Sequence, residues 1–100
     1  MKITYKNKSI NKICTDVSYA TRVYGREMMI KIHLRIEQIF ASLYVEELVQ
    51  NNVGRCHLLK GDRIGEYAMD LVHPYRLVFR VNKLGDLQVA RIEEIVDYHH

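Results

Sequence analysis

The sequence lacks several features that would define its class at once. No apolar stretch approaches the roughly 20 residues that span a bilayer, so we expect no transmembrane helix and no membrane partner. The opening MKITYKNKSINKIC contains no apolar core of a signal peptide, and we therefore expect a cytoplasmic protein. The 100 residues contain no repeat, no low-complexity tract and no linker, which predicts one domain over residues 1–100.

Cysteines and acidic residues are too scattered to indicate a metal site. The two cysteines, Cys14 and Cys56, form no CxxC pair. Isolated cysteines in a reducing compartment are typical of small buried side chains rather than of a disulfide or a zinc site. The sequence has no carboxylate cluster for magnesium and no glycine-rich phosphate loop, so we expect neither a metal nor a cofactor.

Positive charge is concentrated in the first third of the chain. Residues 1–35 contain eight Lys or Arg against Asp16 and Glu27, whereas the remainder is net acidic. A basic segment on a small domain favours a polyanionic partner, but Lys-rich faces are also common on ordinary solvated helices.

Hydrophobic spacing predicts helices in the first half of the chain. The opening KITY alternates as a short strand, and Ser9 is a candidate cap for helical spacing that runs to Tyr24, with a candidate break at Thr15–Asp16. A second apolar stripe runs from Met29 through Phe40 to Leu43, and VEELVQNN follows as a short helical segment.

The pattern changes to strands after Asn52. CHLL, EYAMDLV and the run from Tyr75 to Val81 alternate or are apolar, with a turn at Lys60–Asp62 and a hairpin turn at NKLGD. The run from Leu87 to Tyr98 fits a strand or a helix, and its β-branched residues favour a strand. The order predicts an α+β fold with helices covering one face of a sheet.

The uncovered face of this sheet is the natural place for a site. Alternation puts Arg76 and Arg80 on the face opposite the core residues Leu77 and Phe79. His57 and Lys60 flank one strand end. If the last strand is regular, Asp97 and His99 share one side and Tyr98 points away, unless a bulge or a frayed end brings it round.

These residue types together can break RNA without a metal. Two histidines act as acid and base near neutral pH, Lys60 and Arg76 can stabilise a developing phosphorane charge, and Asp97 can orient a histidine. Each also has a structural explanation, because His57 can be a partly buried strand residue and Lys60 and Arg63 can be solvated on a turn. His73 precedes Pro74 and is assigned to a loop. His33 lies beside the apolar helical stripe and is interpreted as a structural residue.

The run GRCHLLKGDRIGEYAMDLVHPYRLVF, with the terminal DYH, resembles the HigB or plasmid-maintenance killer-protein group of the RelE/ParE toxin superfamily. NKSINKICTD and ATRVYG also fit, so the resemblance covers nearly the whole chain. It implies a RelE-like fold, with N-terminal helices packed on one face of a mostly antiparallel sheet of four to five strands.

The resemblance also implies an activity and partners. Toxins of this group belong to type II toxin–antitoxin systems and cut mRNA in the ribosomal A site, by attack of the 2′-OH on the adjacent phosphate, which stops translation. The implied partners are a HigA-like antitoxin protein, the ribosome through its small-subunit rRNA, and mRNA. We expect a monomer alone and a heterotetramer with two antitoxins.

The functional residues of the group fall on named positions of this chain. The functional histidine falls on His57, and the terminal Asp-Tyr-His falls on Asp97, Tyr98 and His99. The sheet arginine falls on Arg76. We assign catalysis to the first four and RNA phosphate binding to Lys60, Arg63, Arg76 and Arg80.

Two other functions remain open at this point. ParE-type members of the superfamily share the fold but poison DNA gyrase, and the histidines and Arg76 argue against that activity. A catalytically inactive antitoxin-binding module is the other alternative.

Overall fold

A computed structural model describes residues 1–98 of the chain. Between the main elements lie two short 3₁₀ helices at Val53–Arg55 and Gly61–Arg63. The helices and strands follow in the order β1 (Lys2–Tyr5), α1 (Lys8–Thr15), α2 (Val17–Tyr24), α3 (Arg26–Ala41), α4 (Val45–Gln50), β2 (His57–Leu58), β3 (Glu66–Asp70), β4 (Tyr75–Leu84) and β5 (Leu87–Asp97).

Side-chain caps determine where the first two helices begin. The Asn7 side chain accepts a hydrogen bond from the Ile10 backbone N–H, so Asn7 and not Ser9 is the N-cap of α1. Asp16 accepts from the Tyr19 N–H in the same way and starts α2. The predicted break at Thr15–Asp16 is therefore confirmed, because Asp16 both ends α1 and caps α2.

The five strands form a mixed sheet in the order β1-β5-β4-β3-β2. Strand β1 is parallel to β5, and all other neighbours are antiparallel. The α+β architecture with helices on a mostly antiparallel sheet is confirmed, as is the strand over the ambiguous last run. The predicted strand CHLL is shorter than expected, with His57–Leu58 paired to β3.

The core lies between the helices and one face of the sheet. Ile32 and Ile39 of α3 are fully buried with Leu77, Phe79 and Ile92 of the sheet. The predicted apolar stripe ran to Leu43, which lies beyond the end of α3 at Ala41. Phe40 and Leu43 are each 69% exposed and do not belong to the core.

None of the helices within residues 1–98 combines the length and apolarity needed to cross a bilayer.

Candidate active site

The helix-free face of the sheet carries rows of charged side chains. Directly opposed residues share a face in antiparallel strands, so Arg76 lies in one row with Asp70 of β3 and Val96 of β5. Arg80 lies in another row with Glu66 and Arg91. The sequence alternation therefore identified the face, and the register shows which groups meet on it.

A polar cavity of about 220 Å³ opens where β3 turns into β4. The loop between these strands, residues 71–74, forms one wall, and the end of β5 contributes Tyr98. The chemically active lining residues are Arg55, Asp70, His73, Arg76 and Tyr98. Two cations, one carboxylate, one imidazole and one phenol thus line the same cavity.

Asp70 joins the two arginines of this cavity. Its Oδ2 lies 2.8 Å from Nε of Arg55, and its Oδ1 lies 3.5 Å from Nε of Arg76. The Asp70 side chain is 31% exposed and that of Arg55 is 62% exposed, so these pairs are in contact with solvent. One carboxylate against two guanidinium groups leaves an excess of positive charge at the cavity.

Tyr98 faces the cavity, contrary to the regular-strand expectation. The pairing of β4 with β5 shifts between Val78 and Phe79, which leaves Glu93 as an extra residue on β5. Beyond this bulge the faces are exchanged, so Asp97 lies opposite Tyr75. The Tyr98 ring lies 4.6 Å from Cζ of Arg76, a cation–π contact, and its N–H donates to the Pro74 carbonyl at 3.1 Å.

Arg63 and Arg80 form ion pairs with carboxylates and do not line the polar cavity. Arg63 pairs with Glu66 and Glu94, and its hydrogen bond to Glu94 raises the pKa of the guanidinium. Arg80 pairs with Glu66 at 3.5 Å and with the buried Glu93 at 3.1 Å. Their predicted role in phosphate binding stays a prediction, and in this arrangement both are already neutralised by neighbouring carboxylates.

Three more of the predicted site residues, His57, Lys60 and Asp97, do not line the cavity. His57 pairs with Ala68 across β2 and β3, which makes it a diagonal neighbour of Asp70 on the same face. Its Nδ1 lies 2.8 Å from the Arg55 carbonyl oxygen. Lys60 is exposed before the second 3₁₀ helix, and Asp97 is exposed at the end of β5. His99 lies outside the described residues.

Sequence reasoning missed three lining residues. Arg55 was assigned no role, Asp70 was placed within the predicted strand EYAMDLV, and His73 was assigned to a loop. The sequence did contain a signal for Asp70. If the two strands form a hairpin closed by the loop at His73–Pro74, Asp70 lies opposite Arg76 and on the same face of the sheet. No group of three or more His, Cys, Asp or Glu within residues 1–98 is arranged to hold a metal ion.

A second concave surface lies elsewhere on the molecule. A mainly apolar groove of about 920 Å³ runs along β1, the end of α3 and the β4–β5 hairpin, and it shares no lining residue with the polar cavity. Phe40, Leu43, Leu84 and Leu87 line it and are each more than half exposed. Exposed apolar surface of this kind is typical of protein–protein contacts.

Comparison with solved structures identifies the fold. The chain is similar to the YoeB/ParE toxin from Agrobacterium tumefaciens, with 24% identity and a TM-score of 0.63, over 99% of this chain and 100% of that one. It is also similar to YoeB in the YoeB-YefM complex from Staphylococcus aureus, with 21% identity and a TM-score of 0.62, over 100% of this chain and 98% of that one.

A heterotetrameric YoeB-YefM toxin–antitoxin complex from Staphylococcus aureus matches at 20% identity and a TM-score of 0.54, over 100% of this chain and 98% of that one. No protein-family model matches the sequence, and no curated protein matches it either. The chain thus has the fold of the YoeB and RelE-like toxins. At this level of identity the likeness concerns the fold alone.

Proposed function

We propose that this chain is the toxin of a type II toxin–antitoxin system, of the HigB type, and that it cleaves mRNA in the ribosomal A site. The observation that carries the proposal is the polar cavity, where Arg55, Arg76, His73 and Tyr98 converge on the helix-free face of the sheet. The toxin fold and the resemblance of the His57–Phe79 run to HigB support it.

The chemistry needs only groups that this chain supplies. The 2′-oxygen of one nucleotide attacks the adjacent phosphorus, the bond from phosphorus to the 5′-oxygen breaks, and a cyclic phosphate and a 5′-hydroxyl result. Arg76 stabilises the charge that develops on the phosphoryl oxygens. Tyr98 stacks on a base or positions the sugar.

Proton transfer is assigned to the histidines. Either His57 or His99 takes the proton of the 2′-OH, and the other, with Asp97, delivers a proton to the leaving 5′-oxygen. The ribosome presents the mRNA in a fixed geometry, and this supplies the orientation that a chain of 100 residues cannot provide alone. The basic first third suits contact with small-subunit rRNA through phosphates.

The proposed protein partner is a HigA-like antitoxin. Solved YoeB structures of this fold include complexes with YefM, one of them heterotetrameric. The exposed apolar residues Phe40, Leu43, Leu84 and Leu87 support a protein partner, since water-exposed clusters of this kind are unfavourable on an isolated chain. We propose that this toxin acts in the cytoplasm.

The test is a translation-coupled cleavage assay. Purified protein is added to ribosomes programmed with mRNA, and primer extension maps the ends, with His57→Ala and His99→Ala alongside. We expect A-site cuts by the native chain, at least 100-fold fewer cuts by each variant, and unchanged cutting in EDTA at a magnesium level that keeps ribosomes intact. Lys83→Gln, on the exposed hairpin, is the control.

The outcomes separate the candidate functions. Intact mRNA on and off the ribosome contradicts the nuclease. A supercoiling assay with DNA gyrase then tests the ParE-like alternative, and inhibition there would reassign the chain. If neither activity appears and an antitoxin still binds, the result indicates the third alternative, a catalytically inactive antitoxin-binding module.

A further inference from the structure

We propose that Arg55 and Arg76 together bind one RNA phosphate, and that Asp70 is the positioning residue that orients both guanidinium groups before the RNA arrives. This inference rests on the proposed function for its substrate, a phosphodiester of single-stranded RNA. It concerns Arg55 and Asp70, to which the sequence assigned no role.

The geometry leaves the outer edges of both guanidinium groups available. Asp70 is paired through the Nε of Arg55 and the Nε of Arg76. Within residues 1–98, neither guanidinium group makes a further hydrogen bond or ion pair, and the guanidinium of Arg76 makes one ring contact, with Tyr98. Each guanidinium therefore keeps its Nη hydrogens for a phosphate, a group that this planar fork can bind through two parallel hydrogen bonds.

The backbone around Arg55 is built for this placement. Asn52, Gly54 and Arg55 all have left-handed φ values, of 53°, 55° and 53°. Such values are uncommon for residues other than glycine, and strained positions of this kind are concentrated at functional sites. The resulting turn directs the Arg55 side chain to Asp70 on β3.

Asp70 is itself held from inside the protein. Nε of the buried Arg35 on α3 donates to the Asp70 carbonyl oxygen at 2.6 Å, and its Nη1 donates to Oε1 of Gln38 at 2.9 Å. Main-chain support from a packed helix fixes the strand position from which the Asp70 carboxylate reaches both arginines. A carboxylate in that place also reduces the repulsion between two like charges.

The substitution Asp70→Asn tests the positioning role, because the loss of negative charge and the loss of orientation have different effects on RNA binding and on cleavage. Loss of the carboxylate adds one net positive charge to the cavity, so RNA binding is expected to stay the same or become tighter. The guanidinium groups lose their common anchor, so cleavage at saturating RNA is expected to fall at least 10-fold. A purely structural role would lower both together with the melting temperature.

The first measurement is binding, because it does not depend on cleavage. The probe is a short 2′-O-methylated oligoribonucleotide, followed by fluorescence anisotropy at several salt concentrations. We expect the Arg55→Gln/Arg76→Gln double variant to reduce the log–log salt slope by about 0.7, the value for one phosphate contact on a single strand, and each single variant to reduce it by no more than that. In the double variant the two losses in affinity are expected to be less than additive. Lys83→Gln removes an exposed positive charge outside the cavity and leaves the affinity unchanged.

The second measurement is ribosome-dependent cleavage by the same variants. Arg55→Gln is expected to reduce the maximal rate on the order of 100-fold, and Arg55→Lys to restore binding more than rate, since lysine keeps the charge but not the fork. If the native chain cuts and Arg55→Gln behaves as Lys83→Gln in both assays, the two-arginine site is wrong while the nuclease stands. If the native chain never cuts but Arg55→Gln weakens binding, the nuclease fails and the phosphate site stands. Faster cleavage by Asp70→Asn overturns the positioning role.

Discussion

The substitution Gly54→Ala adds one methyl group next to Arg35, the residue that holds Asp70 in place, and so tests how tightly this region is packed. A Cβ added to Gly54 would lie 2.7 Å from both Cζ and Nε of Arg35, closer than real carbon contacts allow. The guanidinium is buried and bonded to the Asp70 carbonyl. Gly54→Ala must therefore displace Arg35, and with it the strand position of Asp70.

The expected cost combines three contributions. The left-handed φ of Gly54, 55°, costs an alanine about 1–2 kcal/mol. Reduced freedom of the unfolded chain returns about 0.4–1 kcal/mol. Loss of the charged hydrogen bond of Arg35 costs roughly 1.5–3 kcal/mol. We therefore expect Gly54→Ala to lower the free energy of unfolding by about 2–4 kcal/mol, against about 1 kcal/mol for the backbone contributions alone.

Gly85→Ala isolates the backbone contribution. Gly85 has a similar φ of 61°, and a Cβ there meets nothing within 4 Å. Urea unfolding followed by circular dichroism gives both values, provided that the m-value is unchanged. In an Arg35→Met background, Gly54→Ala is expected to cost no more than Gly85→Ala. If Gly54→Ala and Gly85→Ala cost the same in the native background, Arg35 does not constrain the turn and the reasoning fails.

Two further predictions concern buried ionisable groups. Burial raises the pKa of both thiols, Cys14 and Cys56, to about 12, whereas the unfolded chain ionises them near pH 9. The contribution of the two buried neutral thiols to the free energy of unfolding is therefore fully present below pH 9. Above pH 9 it decreases by up to about 1.4 kcal/mol per thiol per pH unit. Urea midpoints at pH 8 and pH 10 are expected to differ less in the Cys14→Ala/Cys56→Ala double variant, and an unchanged difference would contradict this. Glu93→Gln removes the carboxylate that Arg80 and Arg91 share and leaves Arg80 with Glu66 alone, so we expect a loss of about 1–3 kcal/mol in the same unfolding assay. Glu37→Gln, exposed on α3, is the control, and equal effects of the two changes would show that the Glu93 pairs are not stabilising.

Periodicity predicted the order of helices and strands because those signals are local. The change from helical spacing to alternation after Asn52 corresponds to the start of the β2–β5 sheet. The parallel pairing of β1 with β5 joins residues more than 80 positions apart, for example Ile3 with Ala90, and no local pattern encodes it. The neutralisation of Arg63 and Arg80 is equally non-local, since it depends on Glu93 and Glu94 of another strand.

The orientation of Tyr98 could have been predicted more fully. Ile92 is buried and Ile95 is packed against the same core, although they lie three positions apart in the sequence. A spacing of three cannot keep two residues on one face of a regular strand, so the IEEI run already indicates an inserted residue. The cavity itself was beyond prediction, because it is formed by one residue of a 3₁₀ helix, a strand pair, a loop and the end of β5.

The bulge at Glu93 makes the site dependent on the number of residues in β5 as well as on their identity. Side chains before Glu93 keep the alternation that buries Ala90 and Ile92, and those after it are shifted by one position. Insertion or deletion of a single residue between Glu93 and Asp97 would leave every proposed functional side chain in the sequence and turn Tyr98 away from Arg76. In this part of the molecule a change in strand length is therefore equivalent to a substitution at the site.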